Sequence, residues 1–385
     1  MTFKKTYLLT PGPTPIPERV LAILGQSVIH HRTPAFEIIF AEVRENLKKL
    51  FQTKNEVITL AATGTAAMDA TICNLFSPGD KVITVNGGKF GERWSKISKA
   101  YGLNPVEILV PRGEALSPAT LREVLSAHKD ATAVLFQASE TSTGVQNPTK
   151  EIVALAREFG MISVCDAITA AGVFTLPMDD WGIDVMMTGA QKAMMIPPGL
   201  AFIALSESAW KKTETSTLPK FYLDLRRELK SQLKNQTAWT PATSLIQGLQ
   251  ESLRMIFEEG LENVFRRHEV LAEGTRAGVE AMGLRLFAPS SPSNAVTSVL
   301  IPEGLPDGKK IPKMMRDEYG VVITGGQDEL EGKILRLSHF GYCGHFDVVT
   351  GLACLELVLK KLGHPVTLGS GVGAALKVFS EKPLK

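Results

Sequence analysis

The sequence predicts an α/β protein, with a large domain built on a mostly parallel sheet flanked by helices and a smaller C-terminal α+β domain. Three observations predict it. Short apolar runs alternate with helix-period stretches between residues 56 and 166, the βαβ rhythm of a parallel sheet covered on both faces. After Leu205 that rhythm gives way to mainly helical stretches and then to short strands mixed with helices. A chain of 385 residues also exceeds one ordinary core and calls for two domains. The expected partition is an N-terminal extended arm over 1–16, a large domain over 17–262 and a small domain over 263–385.

The elements follow in order. Pro11-Gly12-Pro13-Thr14-Pro15-Ile16-Pro17 cannot be helix or central strand and reads as an arm lying on another part of the fold. Phe36, Ile39, Phe40, Val43, Leu47 and Leu50 give a helical period. Residues 56–62 read as a strand, Thr63-Gly64-Thr65 as a turn and Ala66–Phe76 as a helix. Strands are then expected over 81–85, 106–110, 131–137 and 161–166, with helices over 91–101, 117–128 and 148–159 between them. Val185–Thr188 and Leu200–Leu205 read as two buried strands flanking a loop that carries Gln191, Lys192 and Pro197-Pro198-Gly199. Residues 218–233 and 244–282 are expected to be mainly helical, the second as one long stretch linking the domains. Strands over 284–287, 296–301, 321–324 and 334–338 and helices over 311–319 and 346–362 complete the small domain. Gly369-Ser370-Gly371-Val372-Gly373 follows no strand, so it reads as a flexible connector and not as a dinucleotide fingerprint.

Composition narrows the function. A formal net charge of +2 with interspersed charges argues against a general nucleic-acid or membrane-surface role. Cys73, Cys165, Cys343 and Cys354 lack metal-ligand spacing, so no metal site is expected, and Cys73, Cys165 and Cys354 read as buried thiols in a reducing cytosol. The N-terminal ten residues lack the apolar core of a signal peptide and no run is long enough to span a bilayer, so a cytoplasmic protein is expected.

In parallel α/β sheets ligands sit beyond the carboxyl ends of the strands, and five features gather there. Lys192 stands on a tight loop between core strands, where burial lowers an amine's pKa and suits it to covalent chemistry and proton transfer. Thr63-Gly64-Thr65 offers backbone N–H groups and a helix N-terminus to a phosphate. Asp166 ends an apolar strand and needs a cationic partner, which a protonated ring nitrogen would supply. Phe90 beside glycines can cover a planar ligand. Ser139–Gly144 is a hydroxyl-rich strand end that either binds a ligand or makes a turn.

Phosphate site, aromatic, carboxylate and lysine, in that chain order, describe pyridoxal 5′-phosphate. The chain resembles the class V, fold-type I aminotransferases, in particular the alanine–glyoxylate and serine–pyruvate branch. The resemblance rests on Pro11-Gly-Pro-Thr-Pro, Thr63-Gly64-Thr65, Glu140-Thr-Ser-Thr-Gly-Val, Val164-Cys-Asp-Ala, Thr188-Gly-Ala-Gln-Lys192, Pro197-Pro-Gly and Leu335-Arg-Leu-Ser-His-Phe-Gly-Tyr. It implies that Lys192 is the Schiff-base lysine and that Asp166 pairs with the pyridine nitrogen. It implies that Thr63, Gly64 and Thr65 hold the phosphate, that Phe90 stacks and that Ile168 packs on the ring. Thr141 and Gln191 match polar cofactor contacts, and Arg336 matches the arginine that holds the substrate carboxylate. Thr240 resembles a phosphate ligand supplied by the neighbouring subunit of a homodimer, although Thr237-Ala238 just before it departs from the branch's aromatic or histidine. The implied activity is ping-pong transamination between a small amino acid, alanine or serine, and glyoxylate or pyruvate as 2-oxo acid.

Rivals on the same fold are a cysteine desulfurase, for which Cys343 is the loop thiol, a phosphonate or other class V aminotransferase, and a non-catalytic subunit. Arg32 and Arg93 are candidates for a second anion site, set against a surface or interface role for each.

Overall fold

The computed structural model describes residues 5–305 and 307–383; residues 1–4 of the expected arm and the two C-terminal residues lie outside them. The central sheet has seven strands. Their order is Val57–Leu60, Ala201–Leu205, Val185–Gly189, Ile162–Asp166, Ala133–Gln137, Lys81–Asn86 and Asn104–Leu109. Ala201–Leu205 is antiparallel to both of its neighbours, and every other pairing is parallel.

Successive strand residues fall into opposite apolar layers. Val57 and Ile83 pack on one side, Ile58 and Val82 on the other, as a pleated strand buried on both faces requires. Helix Pro34–Phe51 opens with proline at its first position and with Thr33 accepting from the Phe36 N–H at 3.4 Å, a start signal written in the sequence. A third apolar cluster lies under the sheet Val296–Leu300, Ile334–Ser338, Thr324–Gly325 and the helices Leu261–Ala281, His345–Lys361 and Ser370–Glu381.

Several boundaries differ from the expectation. The stretch 244–282 is two helices, Thr243–Glu259 and Leu261–Ala281, broken where Gly260 takes φ +86°, a left-handed conformation that glycine adopts without steric cost. Only Leu225–Gln232 of 218–233 is helical. The expected strand 284–287 reduces to a bridge from Leu286 to Val299. The expected strand 321–324 is split. Val321–Val322 pairs with Tyr7–Leu8 of the arm, and Thr324–Gly325 pairs with Ile334–Ser338.

The glycine-rich tail is not a flexible connector. Ser370–Glu381 is a helix. The buried Glu356 carboxylate accepts from the backbone N–H groups of Gly369 at 2.6 Å and Gly371 at 2.7 Å, which satisfies the helix start. A β-carbon at Gly371 would lie 2.4 Å from Met282 Cε and 2.8 Å from the Gly278 carbonyl oxygen. The glycines let two helices touch.

Candidate active site

Strands Ala133–Gln137, Ile162–Asp166 and Val185–Gly189 end along one edge of the sheet, and helix Gly64–Leu75 begins there. Between them lies a cavity of about 100 Å³ lined by Thr63, Gly64, Thr65, Phe90, Arg93, Ser139, Thr141, Asp166, Ile168, Thr169, Gln191 and Lys192. Nine residues singled out from sequence therefore meet in one place, and Arg93 joins them.

Lys192 is held by the hairpin it interrupts and by the arm above it. Gly189 pairs with Ala201, and the Ala190 N–H donates to the Leu200 carbonyl at 3.0 Å. From the arm, the Thr14 hydroxyl donates to the Lys192 carbonyl at 2.9 Å, and the Lys192 ammonium donates to the Pro11 carbonyl. Gly12 takes φ +131°, a conformation that favours glycine, and a β-carbon there would lie 2.2 Å from Lys192 Nζ and displace the lysine end. Burial pushes the Lys192 ammonium down to about 8; the Asp166 charge works against that shift, while Arg336 and Arg93 add to it.

Asp166 is buried at its strand end, with one oxygen accepting from the Ile168 N–H at 2.8 Å. Burial raises its carboxyl to about 7; the Ile168 N–H opposes the rise, Glu140 adds to it, and the Arg93 and Lys192 charges hold it back.

Helix Gly64–Leu75 has Thr63 at its N-cap with no side-chain capping bond. Its first N–H groups and its dipole are thus open to an anion. A β-carbon at Gly64 would lie 2.5 Å from Ile168 Cδ1, so the two segments touch through a residue that has none. The Arg93 guanidinium donates to the Thr65 hydroxyl at 2.9 Å and lies 4.9 Å from the centre of the Phe90 ring. Arg32, by contrast, is exposed and donates to Gln236 Oε1 at 2.6 Å and to the Thr237 carbonyl at 3.1 Å.

Phe90 is fixed by an anchor that sequence reasoning missed. The buried Glu140 carboxylate accepts from the Gly91 N–H at 2.9 Å and from the Ser142 N–H at 3.1 Å. It thereby holds the start of helix Lys89–Ala100 against the hydroxyl-rich strand end. A lone acid inside Ser139–Thr143 was the available signal. The Thr141 and Thr169 hydroxyls are 2.7 Å apart; nothing in the local pattern pointed to Thr169.

Arg336 is buried beside this cavity, donating from Nε to the Gly325 carbonyl at 2.9 Å and from Nη1 to the Thr141 carbonyl at 3.1 Å. Burial lowers its guanidinium to about 10, against the pull of Glu140. Thr240 is not brought to Lys192 within one chain; it is exposed, in a recess with Thr59, Leu200, Tyr222 and Trp239. Cys343 is buried in a separate recess with Met195, Arg267 and Tyr342, and burial raises its thiol far above the ordinary range. All four cysteines are buried and unpaired. Among the described residues no cluster of His, Cys, Asp and Glu could hold a metal ion, and no helix is long and apolar enough to cross a membrane.

A lysine, a carboxylate and an uncapped helix start thus meet around one cavity, and the protein is a fold-type I pyridoxal-phosphate aminotransferase. The chain belongs to the class-V aminotransferases, whose family model matches residues 6–338. It is 42% identical over 380 residues to the soluble hydrogenase small subunit of Synechococcus sp. strain PCC 6716, covering 98% of this chain and 99% of that one. It is 35% identical over 384 residues to L-aspartate–glyoxylate aminotransferase of Paracoccus denitrificans, covering 97% and 96%. Among solved structures, alanine–glyoxylate aminotransferase of Nostoc sp. superposes with a TM-score of 0.88 at 32% identity, covering 93% of this chain and 96% of that one.

The cofactor of this chain is pyridoxal 5′-phosphate, and the residues present fit it. The helix start at Gly64 has N–H groups without a side-chain cap. The buried amide oxygen of Gln191 has no hydrogen-bond partner within the protein, and Asp166 and Lys192 face the same space.

Proposed function

We propose that this protein transfers the amino group of a small amino acid, alanine or serine, to glyoxylate or pyruvate in a ping-pong cycle. The single observation that carries the reading is the meeting of Lys192, Asp166 and the uncapped helix start at Thr63–Thr65 in one cavity. The glyoxylate in the names of the Paracoccus and Nostoc relatives supports that acceptor.

Bound pyridoxal phosphate supplies an aldehyde and an electron-withdrawing ring that stabilises negative charge at a substrate α-carbon. The chain's own residues do the rest. Lys192 would anchor the aldehyde and would hold and move a proton at the substrate α-carbon. An amine lowered towards neutrality suits that task, and positioned proton transfer contributes about 10²–10⁴ in rate. Asp166 holds a proton at the ring nitrogen. Thr63, Gly64 and Thr65 bind the phosphate, with Thr240 of a second copy completing it in a homodimer. Phe90 and Ile168 enclose the ring, while Thr141 and Gln191 make polar contacts. Arg336 grips the substrate carboxylate through a charge-assisted pair.

A second reading has one observation in its favour. Arg93 lines the cavity and supplies a further cation, which a dicarboxylic donor such as aspartate would use. The test is a visible spectrum of the holoenzyme with alanine, serine or aspartate added singly, then glyoxylate. The band should shift with the true donor and return with glyoxylate, and Lys192→Ala should abolish both changes. A spectrum that no amino acid moves would sink the proposal.

A further inference from the structure

Arg93 lines the Lys192 cavity as a cation without a counter-charge. It follows Phe90 by three residues on helix Lys89–Ala100, a spacing that puts both side chains on one face. Its half-buried guanidinium lies 4.9 Å from the centre of the Phe90 ring, and Nη1 donates to the Thr65 hydroxyl at 2.9 Å. Among the described residues it makes no other hydrogen bond and no ion pair. A guanidinium carries five N–H donors, so most of them are left without an acceptor. The bond also decides what Thr65 does. Its oxygen accepts from Arg93, which leaves its own O–H to donate elsewhere. Thr65 is the second residue of helix Gly64–Leu75, whose start has no side-chain cap. Backbone N–H groups, a hydroxyl donor and an arginine therefore stand together on one wall of the cavity.

Such a set of donors suits an anion of high charge. Two anions compete for Arg93, the phosphate of the cofactor and the side-chain carboxylate of a dicarboxylic donor. Attachment favours the phosphate. Arg93 is tied to the helix start, whereas Arg336 is tied to the Gly325 and Thr141 carbonyls on other segments. A dianion at the helix start meets the residue that Arg93 already holds. We infer that Arg93, with the Thr65 hydroxyl, pairs with the phosphate of the cofactor, which commits this cation and leaves the amino-donor site a single carboxylate grip. The amino donor is accordingly a monocarboxylic acid. The inference rests on the readings of Arg336 as that grip and of Thr63–Thr65 as the phosphate site. It also gives the Phe90 helix a double task, since one turn carries both the ring that covers the cofactor and the charge that neutralises it. Lysine would not reproduce this, because only a planar guanidinium both stacks on a ring and donates from a fixed fork.

The test titrates the apoproteins of the parent, Arg93→Gln and Arg93→Lys with pyridoxal 5′-phosphate and with pyridoxal, which lacks the phosphate. The visible band and Tm are followed, and the holoenzymes at saturating cofactor are then titrated with alanine and with aspartate. Arg93→Gln should bind pyridoxal phosphate at least about tenfold more weakly, the loss of a hydrogen bond between charged groups. It should bind pyridoxal as the parent does, and Arg93→Lys, which keeps the charge without the fork, should fall between. The parent should bind alanine more tightly than aspartate, in a ratio that both variants keep. Equal weakening of pyridoxal phosphate and pyridoxal would overturn the inference, because Arg93 would then act only by holding Phe90. Unchanged cofactor affinity with a selective loss of aspartate would overturn it too and assign Arg93 to the substrate. A parent that forms no band with pyridoxal phosphate, or a holoenzyme that neither amino acid moves, sinks the underlying reading instead.

Discussion

Asp166 and Lys192 line the same cavity, and burial drives them in opposite directions, the carboxyl up to about 7 and the ammonium down to about 8. Each charge partly relieves the other, but neither shift is cancelled. A site that strains both charged forms is poised to receive a group that pairs with one and reacts with the other.

That relationship fixes how the cofactor-free protein responds to pH. Asp166 has a folded pKa above its unfolded value of 3.8, so the folded state holds more protons between that value and about 7, and stability falls as pH rises across the window. Lys192 has a folded pKa below its unfolded 10.5, so the unfolded state holds more protons above about 8 and stability rises with pH there. The two together place a minimum near pH 7 to 8. Buried His268 and His339, both held below their ordinary value, act in the opposite sense on the acid side, so the Asp166 contribution is read as the difference in melting temperature between the apoprotein and its Asp166→Asn variant across the range, and added pyridoxal phosphate should shrink that difference. A curve that is flat for the parent and unchanged in the variant would contradict the burial argument.

Gly64→Ala should weaken cofactor binding by displacing Ile168. The substitution puts a methyl 2.5 Å from Ile168 Cδ1, the free end of a side chain that must turn aside, at a cost near the low end of the ~1–3 kcal/mol of overpacking. Cofactor affinity, followed by absorbance titration of the apoprotein, should fall. Combining it with Ile168→Val should recover part of the loss. Equal losses in the single and double variants would mean that the clash is not the cause.

Cys343→Ala should leave transamination intact. Its thiol is buried outside the Lys192 cavity and held protonated by burial, whereas a nucleophilic cysteine must present a thiolate. Assay of the variant should show parental amino-group transfer, and the parent given cysteine should release no sulfide. Sulfide release lost on substitution would move the protein to the desulfurase reading.

Gly371→Ala should destabilise without touching the chemistry. Its β-carbon would meet Met282 and the Gly278 carbonyl, and relief requires the two helices to separate, at a cost of about 1–3 kcal/mol. Denaturant unfolding should report the loss, with the visible spectrum of the folded holoenzyme unaltered.

Much of this was legible one segment at a time. The alternation of apolar runs gave the strands around Gln137, Asp166 and Gly189, because a strand buried on both faces must be apolar throughout. The ligand edge followed from the carboxyl ends of those strands. Helix breaks were harder to see. Gly260 divides 244–282 because its backbone turns left-handed, a choice the apolar spacing on either side does not encode. Glu356 shows the same limit: what makes the glycine-rich tail a helix is a carboxylate on another element.

The sequence alone determined the inventory of reacting groups and their place along the chain, since residue type and strand period are local properties. Tertiary structure decided what those groups experience. Burial, not composition, moves Asp166 and Lys192 towards neutrality. Strand pairing, not proximity in the chain, sets Ser298 and Thr324 on either side of Arg336. Desolvation and cross-strand register depend on which separate elements pack together, and the period of a single element does not encode that.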